Sequence, residues 1–189
     1  MLSRLYSWYM NPKYAIVMKI GPFSGFSLEK IIDIKMKEEE KIGKFFLGYA
    51  GVFCHPRRVK DFVELAKAEG EKVYVLFIKT PSNFISPIER LLHFSKDTES
   101  WQTLPPEVLL VGSKFAIVGK NIKKTDFEIN LSDYQSMLGT APGKTLDDYL
   151  RWRCDKSCAV YIPDPKRAEK KAKISWVCEL TDDGVVYVK

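Results

Sequence analysis

Three short apolar runs in the first 80 residues constrain this chain more than any other feature. Residues 14–20 (YAIVMKI), 45–49 (FFLGY) and 73–78 (VYVLFI) are rich in β-branched and aromatic side chains and are bounded by Pro, Gly or charge, so each reads as a strand. Helical patterns separate them. Ser27 is a suitable N-cap, Glu29 sits where the helix dipole favours an acid, and Leu28, Ile31, Ile32 and Met36 share one helical face. The same stretch also alternates at Ile32, Ile34 and Met36, which leaves a strand open over residues 27–40. Pro56 suits the first position of the next helix, Val59, Phe62, Val63 and Ala66 form its buried stripe, and Gly70 marks its C-terminal end. The order βαβαβ predicts a Rossmann-like first half, residues 1–83, with a parallel sheet and right-handed crossovers.

After Pro81 the pattern changes. Residues 91–95, 101–104, 108–111, 115–118, 127–131 and 159–162 are short runs parted by turn residues, which predicts an antiparallel, strand-rich second half, residues 84–189. Thr145 caps one short helix, with Asp148 three residues on as a capping-box partner. Thr181-Asp182-Asp183-Gly184, between two apolar runs, predicts a hairpin turn. There is no repeat and no low-complexity linker. The fold class expected is α+β, and 189 residues suit a single domain.

Charge and cysteine content bound the partners. The net charge of +6 favours an anionic small molecule or nucleic acid. Four cysteines in a chain this long do not make a disulfide scaffold, which points to a reducing, cytoplasmic setting. No apolar run is long enough for a membrane helix, so no membrane association is expected. Trp8 and Tyr9 offer an aromatic surface for self-association into a homo-oligomer.

If the first three strands are parallel, the loops 21–27, 48–58 and 79–83 share one sheet edge, where open α/β sheets bind ligands. Ser24, Gly25, Ser27, Gly51, Thr80, Ser82 and Asn83 then line an anion site, with Arg57 and Arg58 as a guanidinium clamp near a helix N-terminus. Ordinary turn chemistry explains the same residues without a ligand. Cys54 beside that helix start is the candidate nucleophile and His55 the candidate proton-transfer group, against the commoner state of a buried structural cysteine. The expected function is binding of a nucleotide or other phosphorylated ligand, extending to hydrolysis or group transfer on it. The alternative is a non-enzymatic nucleic-acid-binding or accessory module that tracks phosphates with Arg151, Arg153, Lys166, Arg167, Lys170 and Lys171.

Other spacings exclude chemistry. Between Gly139 and Gly143 stand three residues where a phosphate-binding P-loop needs four. Cys154 and Cys158 lack the two-residue knuckle spacing and a second matched pair, so no metal or other cofactor is expected.

Overall fold

The computed structural model describes residues 11–81, 89–137, 143–152 and 155–189, with the side chains of residues 151 and 152 left aside. The first five elements follow the predicted order: β1 (Tyr14–Ile20), α1 (Leu28–Ile42), β2 (Phe45–Tyr49), α2 (Pro56–Ala68) and β3 (Val73–Lys79). Residues 27–40 are therefore cap and helix. Ser27 accepts from the Lys30 N–H at 3.2 Å, and Gly43 ends the helix in the left-handed region. Each large apolar side chain that α2 buries at Val59, Phe62 and Val63 is worth roughly 1.5–3 kcal/mol.

The sheet corrects the Rossmann-like expectation. β1 pairs in parallel with β3 only, from Tyr14↔Val73 to Ile20↔Lys79. β2 lies at the opposite edge, antiparallel to β6 (Phe115–Asn130). Among the described residues nine strands form one mixed sheet whose main path runs β2-β6-β9-β3-β1-β8-β7, where β7 is Tyr134–Ser136, β8 Lys156–Tyr161 and β9 Lys171–Val188. β4 (His93–Ser95) joins β9, and β5 (Gln102–Thr103) joins β4. Among the described residues the helices are α1, α2, a short α3 (Leu146–Trp152) and one 3-10 turn, so these residues hold more strand than helix. Alternation of element types did not dictate which strands pair. The long antiparallel ladder of β6 with β9 inserts between β2 and β3.

That ladder also curls the sheet. On β6, Asn121 and Ile122 face a single residue of β9, and so do Thr125 and Asp126. Such bulges bend a strand and increase its twist. The Glu39 carboxylate of α1 accepts from both bulged N–H groups, of Asn121 and of Ile122, and so ties the helix to the bend. The predicted hairpin at residues 181–184 is instead a larger loop-out on β9, opposite Val118 of β6. β9 continues through it, and both flanks pair with β6, at Leu180↔Gly119 and Val185↔Ile117. The loop-out is held by Thr181 Oγ1 donating to the Val118 carbonyl (2.9 Å) and by Lys44 and Lys96, each 2.7 Å from the Asp183 carboxylate.

Three apolar layers follow. The concave face carries alternate residues of β1, β2, β3, β6, β8 and β9 and is filled by α1 and α2. The convex face divides in two: α3 packs near Ala15, Val17 and Leu76, and the 104–110 segment packs near Phe46, Ala116 and Val186. No helix among the described residues is long and apolar enough to cross a membrane.

Candidate functional site

The C-terminal ends of β1 and β2 meet at one place although the two strands are not neighbours. Between them lies a cavity of about 380 Å³. Its walls are residues 18–21 from β1 and its end, Leu47 to Gly51 from β2 and the loop after it, Ile31, Ile34 and Lys35 from α1, and residues 109–113. Most of this lining is apolar, and Lys19, Lys35, Tyr49, Ser113 and Asp155 are the residues in it with charged or hydroxyl side chains.

The 21–27 loop supplies the mouth. Ser24 and Gly25 have φ of 48° and 84°, as in a primed turn, and Phe23 and Phe26 exchange backbone hydrogen bonds across it at 2.9 and 3.1 Å. Both phenylalanines line the cavity. The loop thus presents two aromatic rings, and its hydroxyls lie outside the lining. The dipeptide Ser24-Gly25 between two phenylalanines is a turn signal legible in the sequence.

At one wall stands Lys35, 4% exposed. Its ammonium donates to Glu38 Oε1 at 2.6 Å and to the Leu109 carbonyl at 2.8 Å. Glu38, 2% exposed, also accepts from the N–H groups of Phe46 (3.2 Å) and Leu109 (3.0 Å). Burial pulls the Lys35 pKa down from the ordinary lysine value, and the charge and hydrogen bond of Glu38 offset part of that pull. Sequence reasoning missed this pair. The signal was there: Lys35 continues the stripe of Leu28 and Ile32, where an apolar residue was due.

The opposite side is a second ion pair. Lys156 is fully buried, 2.6 Å from Asp155 Oδ2 and 4.7 Å from the centroid of the Tyr49 ring. Asp155 and Tyr49 line the cavity, and Gly51 closes over the pair. A Cβ on Gly51 would lie 3.5 Å from Lys156 Nζ and 3.9 Å from Asp155 Oδ1.

Of the residues expected to bind an anion, Gly51 lines this cavity. Ser27 caps α1, while Ser24 and Gly25 form the turn. Thr80 donates its N–H to the Ile20 carbonyl (2.8 Å) and so prolongs the β1–β3 pairing. Arg57 and Arg58 are exposed on the first turn of α2. Ser82 and Asn83 lie outside the described residues.

Cys54 and His55 point away from each other's chemistry. Cys54 is 3% exposed at a φ of 55°, and its sulfur lies 3.9 Å from that of Cys158. Its carbonyl accepts from the Tyr49 hydroxyl at 2.5 Å. His55 packs edge-on against Phe115 and Tyr187, with ring centroids 5.1 and 5.6 Å away. Burial, then Arg57 and Arg58, push its pKa below the usual histidine value.

The basic segment is engaged in part. Arg167 donates to the Ser132 and Ile162 carbonyls and pairs with Asp164, and Lys171 pairs with Glu169. Lys166 and Lys170 are exposed, and their backbone N–H groups bond Asp164 and Asn130. The side chain of Arg151 and all of Arg153 and Cys154 lie outside the described residues. Comparisons of the chain with protein-family models, with curated proteins and with solved structures find no match.

Proposed function

We propose that this protein binds a small, largely apolar molecule in the cavity between the C-terminal ends of β1 and β2. The observation that carries the reading is the cavity itself. Its roughly 380 Å³ falls in the size range of small-molecule sites, and an apolar lining with a few fixed polar groups is their usual composition. Phe23 and Phe26 form an aromatic mouth, and Asp155, Ser113 and Lys35 supply orientation. Neither Cys54 nor His55 belongs to the lining, so the reading is one of binding. A phosphorylated ligand held by Arg57 and Arg58 has less support, because those side chains stand on α2 outside the lining.

Titration with the neutral fluorophore phenylnaphthylamine tests it. Saturable one-to-one binding is expected, and Ile34→Trp, which fills the cavity from α1, abolishes it while circular dichroism stays unchanged. Binding that ignores Ile34→Trp, or thermal stabilisation by nucleotides that depends on Arg57 and Arg58, overturns the reading.

A further inference from the structure

The geometry points to a neutral carbonyl group on the ligand, held by the Lys35 ammonium. The inference rests on the cavity being the binding site and adds the chemical class of what enters it.

A lysine ammonium has three N–H donors. Among the described residues Lys35 uses two, on Glu38 and on the Leu109 carbonyl, and Lys35 is one of the residues that line the cavity. The remaining N–H is the donor assigned to an occupant, beside the apolar lining residues Ile31, Ile34, Leu47 and Leu110. A buried donor left without an acceptor is costly, so an occupant that supplies one is favoured over one that does not.

Charge decides the kind of acceptor. The Glu38 carboxylate, 2.6 Å from the Lys35 nitrogen, already balances its charge. A second carboxylate in the cavity would meet a pair of no net charge and would lose its own hydration. A ketone or amide oxygen loses much less on entry and takes the same hydrogen bond. Lys35 cannot swing away to another role, because Glu38 is itself fixed by the N–H groups of β2 and of the 109–111 segment.

Three probes of one shape separate the possibilities: acetylnaphthalene, ethylnaphthalene and naphthoate, each competing with phenylnaphthylamine. Acetylnaphthalene is expected to bind about tenfold more tightly than ethylnaphthalene, the worth of one hydrogen bond to a charged donor. Naphthoate is expected to bind more weakly than acetylnaphthalene. The advantage of acetylnaphthalene disappears in Lys35→Met/Glu38→Gln, which removes the donor without stranding a carboxylate. A lowered carbonyl stretching frequency of acetylnaphthalene bound to the unaltered protein reads the same contact without any variant. Equal binding of the acetyl and ethyl compounds, an unshifted carbonyl frequency, or tightest binding by naphthoate each overturns the Lys35 assignment and leaves the cavity reading standing. Failure of phenylnaphthylamine itself to bind removes the cavity reading instead.

Discussion

The sulfurs of Cys54 and Cys158 lie 3.9 Å apart, both enclosed in the concave core between the loop after β2 and strand β8. Burial, followed by the neighbouring Cys54, pushes the Cys158 thiol well above its ordinary pKa. A thiol in apolar surroundings is a poor nucleophile because the thiolate is the reactive form. Iodoacetamide at neutral pH should therefore leave Cys54 and Cys158 unmodified in the folded protein and label both in urea, as read by site-resolved mass spectrometry. Rapid labelling of Cys54 in the native state would restore it as a nucleophile.

Glu38 holds more than one element at once. It binds the Lys35 ammonium, the Phe46 N–H of β2 and the Leu109 N–H. Glu38→Ala leaves a buried ammonium unpaired and two backbone donors without acceptors. Removing one member of such a buried pair costs about 3–5 kcal/mol. Urea denaturation should show a loss of that size, with most of it recovered in Lys35→Met/Glu38→Gln. A loss below about 1 kcal/mol, the range of a surface pair, would mean that the pair is solvated.

The sequence carried the local structure well and the assembly poorly. Element order through residue 79 was legible because periodicity, Ser27 and Pro56 act within one or two turns of chain. Which strand pairs with β1 was not legible, since the β6–β9 ladder that separates β2 from β3 joins residues distant in sequence, from Asn130↔Lys171 to Phe115↔Tyr187. The 181–184 stretch shows the same limit. Asp-Asp-Gly chemistry allows a tight hairpin and an outward bulge alike, and Lys44 and Lys96 on Asp183 accompany the bulge. At the site, the strand-end position was legible through Gly51 and the 21–27 loop. The buried Lys35–Glu38 pair beside it was not, because a lysine within a charged run reads as a solvated face, while Ser27, Arg57 and Arg58 at helix starts read as anion ligands.

His55 gives the protein a pH dependence of definite sign. Its folded pKa lies below 6.5 because burial, Arg57 and Arg58 all disfavour the imidazolium. The unfolded chain therefore takes up the proton first as pH falls, and stability drops from about pH 6.5 downward. Above that value both states are neutral and the contribution is complete. His55→Phe keeps an aromatic ring against Phe115 and Tyr187 and removes the titration. Melting temperatures measured on either side of the histidine range should fall less in His55→Phe than in the parent. His93 is common to both proteins, so the difference belongs to His55. Identical pH profiles would show that the imidazole is freely solvated.

Gly48 tests the tightness of the cavity wall. A Cβ there would stand 2.2 Å from Ser113 Oγ, 2.8 Å from Ser113 Cβ and 3.1 Å from Leu110 Cδ2. The hydroxyl alone can rotate away, but it would give up its 3.0 Å bond to the Val111 carbonyl, and Ser113 Cβ cannot follow without its backbone. Overpacking of this kind costs typically about 1–3 kcal/mol. Gly48→Ala is thus expected to lower stability by that amount and to weaken phenylnaphthylamine binding, since Gly48, Leu110 and Ser113 all line the cavity. Ser113→Gly removes the clashing atoms, so the double variant should regain part of both losses. A double-mutant cycle that shows simple additivity would mean that the two residues do not meet, and that the wall between β2 and the 109–113 segment is looser than these distances require.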